Sequence, residues 1–318
     1  MVAWKPSAPL QNLRQRAEVL ARIRSFFLER EVLEVETPLL GRHTVPDVYI
    51  ESMSVEVMDG ANSRQHFLQT SPEFHMKRLL ASGSGSIYQI AKAFRQEEKG
   101  SRHNSEFTLL EWYRVSFPLE ELMNELEELL QLLLNCGTIE RLTYRDIFQR
   151  HLEIDPHETT LEQLKELARA EIDLSAEGLG KTDYLQLLLA HSIEPKLPDY
   201  CFIHDYPREQ AALSTLAEDA FGTVVAKRFE LFGRGMELAN GYLELSDAVE
   251  QRARFESDNL SRKEKGLATH EIDERLVAAL ESGLPSCSGV AVGVDRLLML
   301  LTGARDISEV ISFDGDDA

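Results

Sequence analysis

The chain has 318 residues, of which 43% are hydrophobic and 28% charged, and this ordinary globular composition excludes a disordered or collagen-like protein. Its 34 basic and 54 acidic residues give a formal charge of −20, which disfavours broad nucleic-acid binding unless a basic patch is local. Three cysteines without disulfide or zinc spacing, and the lack of a signal-peptide pattern or a long apolar run, favour a cytoplasmic protein with no membrane segment.

The N-terminal half carries both helix and strand signals. Apolar residues at helical spacing predict a helix over residues 10–30, and strands are predicted over 48–57, 66–70, 87–90 and 107–115. Ser71 as N-cap and Pro72 at the first helical position predict a helix that runs to about Ala81. The clearest helical pattern covers 119–133. Its acidic residues are predicted to form a solvated face: Glu120, Glu121, Glu125, Glu127 and Glu128.

The C-terminal half begins with short helical segments over 137–195, which indicate a mostly helical insertion. Strands are predicted over 201–204, 223–232, 236–245 and 288–293, and helices over 247–260, 272–280 and 295–301. Because the strands do not alternate with helices as βαβ units, the pattern predicts an α+β fold with a largely antiparallel sheet flanked by helices.

Three segments stand out in this order along the chain. The first is Val35-Glu-Thr-Pro38 after the first helix, the second combines FRQEE (94–98) with RHNSEF (102–107), and the third is GVAVGVDR (289–296) at the start of a helix. Together they resemble the three signature motifs of class II aminoacyl-tRNA synthetases. The segments SPEFHMKRLL, RFELFGRGMELANGYLEL and GVAVGVDRLLML extend the resemblance to the lysyl-tRNA synthetase catalytic domain, over residues 10–313.

The chain looks still more similar to the lysyl-tRNA synthetase paralogues that modify elongation factor P. Its first-motif helix begins near residue 10, which leaves no room for an N-terminal OB-fold anticodon-binding domain. The resemblance implies one catalytic domain over 1–318 with the insertion at 137–195, and a homodimer formed through the first-motif helix and strand. It also implies ATP and Mg²⁺ as cofactors, a lysine-type amino acid, and a lysine of elongation factor P as acceptor, with no tRNA partner. A minimal lysyl-tRNA synthetase-like enzyme that acts on tRNA, and a non-catalytic lysine sensor, are the alternatives.

The expected chemistry is the activation of a carboxylate by ATP, in which two anions meet and arginines and Mg²⁺ neutralise their charge. Arg95 is expected to bridge the substrate carboxylate and the α-phosphate, and Arg296 to hold the γ-phosphate, as the catalytic pair. Glu230 and Glu237 suit Mg²⁺, a hard cation that prefers oxygen ligands. The resemblance implies further ATP-binding residues: Gln96, Glu97, His103, Asn104, Phe107, Glu237, Leu238 and Gly293.

The resemblance also implies an acidic amino-acid pocket. Its residues match positions that contact the substrate in lysyl-tRNA synthetases: Ser71, Pro72, Glu73, Glu111, Tyr113, Asn240, Tyr242, Glu244 and Ala291. Buried carboxylates are costly unless they are paired, and a diamine substrate supplies the opposite charges, whereas a site for aspartate would need cations.

The pocket departs from the lysyl-tRNA synthetase pattern at Ala291, where those enzymes carry glycine. The added methyl group is expected to disturb α-lysine, and the change resembles the paralogues that use (R)-β-lysine. The alternative is that Ala291 only fills a packing gap.

Residues 73–102 are locally basic, with three glutamates and six cations. We expect this segment to lie at the mouth of the site and to steer an acidic protein domain or a phosphate-rich ligand. The cations are Lys77, Arg78, Lys92, Arg95, Lys99 and Arg102.

Overall fold

The computed structural model describes residues 4–60, 62–96, 99–172 and 178–315. The α-helices in these ranges are α1 (Leu10–Leu28), α2 (Glu73–Ala81), α3 (Leu119–Leu134), α4 (Tyr144–Leu152), α5 (Leu161–Ile172), α6 (Lys181–Leu188), α7 (Ala248–Glu264), α8 (Glu274–Gly283) and α9 (Val294–Thr302). Short π- or 3₁₀-helical turns cover Leu189–Ile193, Glu194–Lys196, Arg208–Gln210 and Ile307–Glu309. Within these ranges no helix has both the length and the apolar character that crossing a membrane requires.

The strands in the same ranges are β1 (Leu33–Glu34), β2 (Leu40–Gly41), β3 (Ser54–Asp59), β4 (Asn62–Leu68), β5 (Ile87–Phe94), β6 (Glu106–Val115), β7 (Glu140–Thr143), β8 (Tyr200–Pro207), β9 (Leu216–Glu218), β10 (Val224–Gly233), β11 (Met236–Leu243) and β12 (Cys287–Gly293). The chain forms two compact units. Unit 1 takes the residues up to Asn135 and those from Glu244 onward, and unit 2 takes Cys136–Leu243.

Unit 1 is built on the strand order β1-β5-β6-β12, in which only the short β1 pairs in parallel. Side chains alternate between the two faces of each strand. On one face Tyr88, Trp112 and Val290 are neighbours across β5, β6 and β12, and Phe27 of α1 packs on them with ring centroids 4.4 Å from Tyr88 and 5.3 Å from Trp112. This face forms the apolar core, so the polar residues of the central strands are left to the other face.

Unit 2 holds the strands β11-β10-β8-β7, with β9 paired to β10, and all pairs but β7–β8 are antiparallel. Helices α4 to α6 contribute a buried cluster around Tyr144, whose ring stacks on Phe148 at 4.6 Å and contacts Tyr206 at 4.7 Å. The predicted helical segments of 137–195 are confirmed as α4, α5 and α6. Together with the sheet of unit 1, this arrangement confirms the predicted α+β class and its antiparallel strands.

Most predicted elements are confirmed, but three predictions are wrong in part. The strand predicted over 48–57 begins only at Ser54, because Asp47 and Ile50 give their carbonyl oxygens to the buried Arg262 instead of to a strand. Helix α2 begins at Glu73 rather than at Pro72, although the Ser71 hydroxyl does accept a hydrogen bond from the Glu73 amide.

Glu125 is the third correction, because it is buried and not part of a solvated face. The Trp112 indole donates to Glu125 Oε2 at 2.9 Å, and the Arg114 guanidinium lies 3.3 Å from Oε1. Burial raises the pKa of Glu125, and the charge of Arg114 opposes that rise. The carboxylate therefore ties α3 to the core face of β6.

Candidate active site

The second face of the unit 1 sheet carries a buried carboxylate, Glu111, at the centre of β6. The Tyr113 hydroxyl donates to Glu111 Oε1 at 2.7 Å, and the Ser71 hydroxyl donates to Oε2 at 3.0 Å. Both donors are neutral, and no cation of the described chain forms an ion pair with Glu111. The structure thus brings together three residues that the sequence assigned to the amino-acid pocket, and it leaves their carboxylate without a resident positive charge.

A second acidic group contains Glu73, Glu244 and a residue that the sequence interpretation placed elsewhere, Lys77. The Lys77 ammonium lies 2.6 Å from Glu73 Oε1 and 2.7 Å from Glu244 Oε2. Glu73 and Lys77 are one turn apart on α2, where side chains four residues apart meet. Lys77 is only 1% exposed, so its assignment to a basic surface at the mouth of the site is wrong.

The electrostatics of the two acidic groups follow from burial. Loss of solvent, and then the charge of Glu73, raise the pKa of Glu111 to about 8, although the bonds from Tyr113 and Ser71 oppose this. Burial also raises the pKa of Glu244 to about 7, against the attraction of Lys77. The pKa of Lys77 is raised by both carboxylates, which outweigh its own burial. Burial therefore disfavours the charged form of both carboxylates, and Lys77 offsets this for Glu244.

Strand β12 leaves room for these groups by carrying small residues on the same face. Gly289 lies opposite Tyr113, and Ala291 lies opposite Glu111, and directly opposed residues share a face. A Cβ atom on Gly289 would lie 2.3 Å from the Tyr113 ring and 2.5 Å from Glu244 Oε1. Any side chain at Gly289 would displace both the Tyr113 ring and the Glu244 carboxylate. The methyl group of Ala291 lies on the same face of the sheet as Glu111.

The third motif is connected to the second through Asp295 and Arg296 at the start of α9. Asp295 accepts hydrogen bonds from the Thr108 amide at 2.7 Å and from Arg16 of α1 at 2.5 Å. Arg296 then reaches the loop after β5, where its Nη2 lies 2.6 Å from His103 Nε2 and its Nε donates to the Arg102 carbonyl at 3.3 Å. Two residues predicted to bind ATP, Arg296 and His103, are thus in direct contact.

The remaining second-motif residues lie at the ends of β5 and β6. The Arg95 guanidinium carbon lies 5.1 Å from the centre of the Phe107 ring, within cation–π range. Gln96 is exposed, and Asn104 donates its side-chain amide to the Glu106 carbonyl at 2.7 Å. Glu97 lies outside the described residues. Pro72 is buried at the start of α2, and Gly293 is the residue that precedes α9.

Unit 2 holds the other predicted residues on strands β10 and β11. Glu230 lies opposite Asn240, and Arg228 lies opposite Tyr242, so these four share a face. Both oxygens of Glu230 are engaged, one by Arg228 at 2.5 Å and one by the Tyr206 hydroxyl at 2.8 Å. Oδ1 of Asn240 is buried without a hydrogen-bond partner in the described chain. A buried, unsatisfied acceptor of this kind suits a donor on a ligand.

The carboxylates Glu230 and Glu237 were predicted to hold Mg²⁺. A bulge after Leu231 shifts the register, so Glu237 lies opposite Phe232, and the neighbouring Leu238 is buried. Burial raises the pKa of Glu230 to about 7, against the opposing charge of Arg228, and the charge of Glu237 adds to the rise. Two mutually repelling carboxylates fit a divalent cation that binds one or two protein carboxylates and otherwise takes phosphate oxygens.

The sequence analysis did not assign three residues to the site that shape it in the structure: Lys77, Gly289 and Arg228. Lys77 had a readable signal, since Glu73 and Lys77 stand four apart on a predicted helix. Gly289 was quoted within the third motif, but nothing in the sequence pairs it with Tyr113. Arg228 is buried between the Tyr206 and Tyr242 rings, at 4.5 and 5.4 Å, and no local pattern indicates this.

Comparison with known proteins identifies the family of the chain. The family model described as tRNA synthetases class II (D, K and N) matches residues 2–316. The elongation factor P–(R)-β-lysine ligase of Vibrio vulnificus is 49% identical over 98% of this chain and 97% of its own. The ligases of the same name from Yersinia enterocolitica and Haemophilus influenzae are 48% and 46% identical, each over at least 97% of both chains. The chain therefore belongs to the class II tRNA synthetase family of the D, K and N type.

Proposed function

We propose that the protein is a ligase that activates (R)-β-lysine, or a close lysine analogue, with ATP and transfers it to the ε-amino group of a lysine on elongation factor P. The observation that carries the amino-acid part is the acidic pocket, in which Glu111 and Glu244 are buried and Glu73 is partly buried. The names of its relatives support the acceptor and the β-amino acid.

The pocket favours a substrate with two ammonium groups. Among the described residues only the neutral hydroxyls of Ser71 and Tyr113 bond to Glu111, so an incoming ammonium would supply its counter-charge. Aspartate and asparagine, the other amino acids of the family, would bring a carboxylate or a neutral amide toward buried carboxylates. That arrangement leaves buried charge uncompensated, which is strongly unfavourable.

Adenylate formation would join a carboxylate oxygen of the amino acid to the α-phosphorus of ATP, with departure of pyrophosphate. We assign Arg95 to the attacking carboxylate and the α-phosphate, and Arg296 to the γ-phosphate end. Planar guanidinium groups suit both roles, because they donate two parallel hydrogen bonds to an oxyanion. The contact of Arg296 with His103 supports a phosphate site shared by the second and third motifs.

Glu230 and Glu237 would hold Mg²⁺, which when bound supplies positive charge against the phosphates. Arg228 and Tyr206 both bond to Glu230 and orient its carboxylate. Asn240 lies opposite Glu230 on the same face of the sheet, and its side-chain amide would form a hydrogen bond with the amino acid. We also propose that both units act as one catalytic domain, because the three signature motifs lie in unit 1 and the further matching segment that begins at Arg228 lies mainly in unit 2.

The transfer step would join the neutral ε-amine of the acceptor lysine to the acyl carbon, with release of AMP and a proton. We propose elongation factor P, and not tRNA, as the acceptor. We also propose that the protein works in the cytoplasm as a homodimer. The exposed leucines of α1 and β1, Leu28 at 77% and Leu33 at 54%, support a partner surface there.

ATP–pyrophosphate exchange tests the activation step. We expect exchange that depends on (R)-β-lysine, weaker exchange with α-lysine, and none with aspartate or asparagine. Exchange driven best by aspartate or asparagine would contradict the acidic pocket. A protein that binds lysine-type amino acids but exchanges no pyrophosphate would instead be a sensor.

A further inference from the structure

Arg16 is a partly buried cation of α1 that connects several elements of unit 1. Its side chain is 15% exposed. Its Nη1 donates hydrogen bonds to Asp295 Oδ1 at 2.5 Å and to the Val310 carbonyl at 3.3 Å, and its Nη2 donates to Thr108 Oγ1 at 2.6 Å. One guanidinium thus joins α1 to β6, to the start of α9 and to the segment that follows α9.

Asp295 extends this connection to the backbone of β6. The last residue pair between β12 and β6 is Gly293 with Leu109, so the Thr108 amide lies just beyond the paired part of the strand. Asp295 Oδ2 accepts a hydrogen bond from that amide at 2.7 Å, while Oδ1 binds Arg16. Asp295 is only 2% exposed, and a buried carboxylate is costly unless it is paired. Arg16 therefore supplies the charge that stabilises the link between α9 and β6.

Two of these contacts lie next to residues that we assign to ATP. Thr108 is on the same face of β6 as Trp112, which packs on α1, so Phe107 is on the opposite face, where the site lies. Arg296 follows Asp295 on α9, and neighbouring residues of a helix point about 100° apart. Arg16 therefore lies behind the ATP residues and holds the backbone that carries them.

The segment after α9 provides a third connection to the site. Val310, which accepts a hydrogen bond from Arg16, follows the helical turn that begins at Ile307. The Ile307 amide donates to the Ser101 carbonyl at 2.8 Å. Ser101 belongs to the second-motif loop, which also carries His103. The same guanidinium is thus connected to the loop, the strand and the helix that contribute the predicted ATP-binding residues of unit 1.

We propose that Arg16 is a positioning residue of the ATP site. It holds β6, α9 and the second-motif loop in one arrangement, so that Phe107, Arg296 and His103 meet ATP together. The amino-acid pocket depends on it less, because Glu111 lies about 10 Å further along β6 than the strand end that Arg16 holds. The inference rests on the proposed function, because it takes ATP as the ligand of these motifs.

The test compares Arg16→Met, which removes the charge, with Arg16→Lys, which keeps the charge but not the planar fork that reaches three acceptors. Arg24→Met is the matched control, because Arg24 is on the same helix and forms an exposed ion pair with Glu34 at 3.1 Å. Calorimetric titration with ATP and Mg²⁺, without an amino acid, measures the Kd directly. We expect Arg16→Met to raise this Kd at least about tenfold, equal to about 1.4 kcal/mol.

Pyrophosphate exchange then separates the two substrates. In Arg16→Met the KM for ATP should rise with the Kd, whereas the KM for (R)-β-lysine should change less than about twofold. Arg16→Lys should recover part of the ATP affinity, and the Arg24→Met control should resemble the parent.

The thermal midpoint is measured in parallel, because Arg16→Met leaves the Asp295 carboxylate buried without its cation. The double variant Arg16→Met/Asp295→Asn removes that charge, so we expect it to regain part of the lost midpoint but none of the ATP affinity. An ATP Kd within about twofold of the parent, in Arg16→Met or in the double variant, would overturn the inference. Equal rises in the two KM values would also overturn it. A parent protein that binds no ATP would contradict the proposed function, and that result is read before any variant is made.

Discussion

The three acidic residues of the amino-acid pocket differ in how the fold compensates their charge. Glu111 is held by two hydroxyl groups, whereas Glu73 and Glu244 share the ammonium of Lys77. The glutamates of the pocket therefore have two different environments. We expect the two ammonium groups of a lysine-type substrate to meet different partners.

Arg296 is expected to be essential for activation. Replacement by alanine removes the guanidinium assigned to the γ-phosphate, so Arg296→Ala should lower pyrophosphate exchange at least about 100-fold and leave the fold intact. Circular dichroism and the thermal midpoint check the fold. Arg252→Ala is the control, because Arg252 only forms an exposed ion pair with Glu274. Exchange within about tenfold of the parent would remove Arg296 from the phosphate site.

Glu244→Gln is expected to affect the amino acid far more than ATP. The substitution keeps the shape but removes a charge that pairs with Lys77 at 2.7 Å in the proposed amino-acid pocket. We expect the KM for (R)-β-lysine to rise at least about tenfold, with the KM for ATP nearly unchanged. Glu162→Gln on the exposed face of α5 is the control. If the ATP KM rises and the amino-acid KM does not, Glu244 belongs to the nucleotide or metal site.

At the scale of elements, the pairing of β6 with β12 builds the pocket. Glu111 and Tyr113 of β6 lie on one face of the sheet. The residues opposite them on β12 are the small residues Ala291 and Gly289. Bulky acidic and aromatic side chains on one strand therefore meet small residues on the next. The opposite face of the same strands carries the apolar core against α1.

Gly289→Ala tests this complementarity. The new Cβ would lie 2.3 Å from the Tyr113 ring and 2.5 Å from Glu244 Oε1, so both groups must move. We expect a rise of about tenfold or more in the KM for the amino acid and a lower thermal midpoint. Gly137→Ala is the matched control, because no atom lies within 4 Å of its added Cβ. A Gly289→Ala enzyme with parental kinetics would show that the pocket tolerates displacement of both groups.

Ala291→Gly is expected to shift substrate preference toward α-lysine. The methyl lies opposite Glu111 on the pocket face, and one methyl group in a pocket typically changes discrimination by about 10- to 200-fold. The ratio of kcat/KM for α-lysine to that for β-lysine in adenylate formation is the measurement. Ala91→Gly on neighbouring β5 controls for the loss of a methyl from the same sheet. If Ala291→Gly leaves the ratio unchanged, Ala291 is only a packing residue.

The helices and strands could be predicted where one pattern of apolar residues dominates a segment, as in α1, α3 and β6. The prediction that Glu125 is solvated was wrong, because a helical pattern does not show that the Trp112 indole donates a hydrogen bond to an acceptor on α3. Within the pocket, Glu73, Glu111 and Glu244 were found through the family's motifs, but their separate environments depend on Lys77 and Ser71 in three dimensions. The spacing of four residues predicts the contact between Glu73 and Lys77. It does not predict the second partner of Lys77, Glu244, which is distant in sequence.

At the scale of the whole molecule, the buried acids link stability to pH. Glu111 has a folded pKa near 8, against an ordinary value of 4.5, so between these values the folded state holds more protons than the unfolded state. The free energy of unfolding should therefore fall as pH rises through this window.

Glu111→Gln removes this contribution. Urea unfolding at about pH 5.5 and about pH 7.5 should show a smaller loss of stability with rising pH in Glu111→Gln than in the parent. Because the charges of Glu111 and Glu244 act on each other, the difference between the two proteins reports Glu111 together with its interaction with Glu244. Identical pH dependence in the two proteins would mean that Glu111 is ionised throughout this range in the absence of substrate.

We propose that this class II catalytic body acylates a protein. The most direct measurement incubates the enzyme with ATP, Mg²⁺ and (R)-β-lysine, and with either purified elongation factor P or total tRNA, and follows both acceptors by mass spectrometry and acid-precipitable label. We expect one added β-lysyl group on a lysine of elongation factor P and negligible charging of tRNA. Aminoacylated tRNA with unmodified elongation factor P would show that the acceptor is tRNA instead.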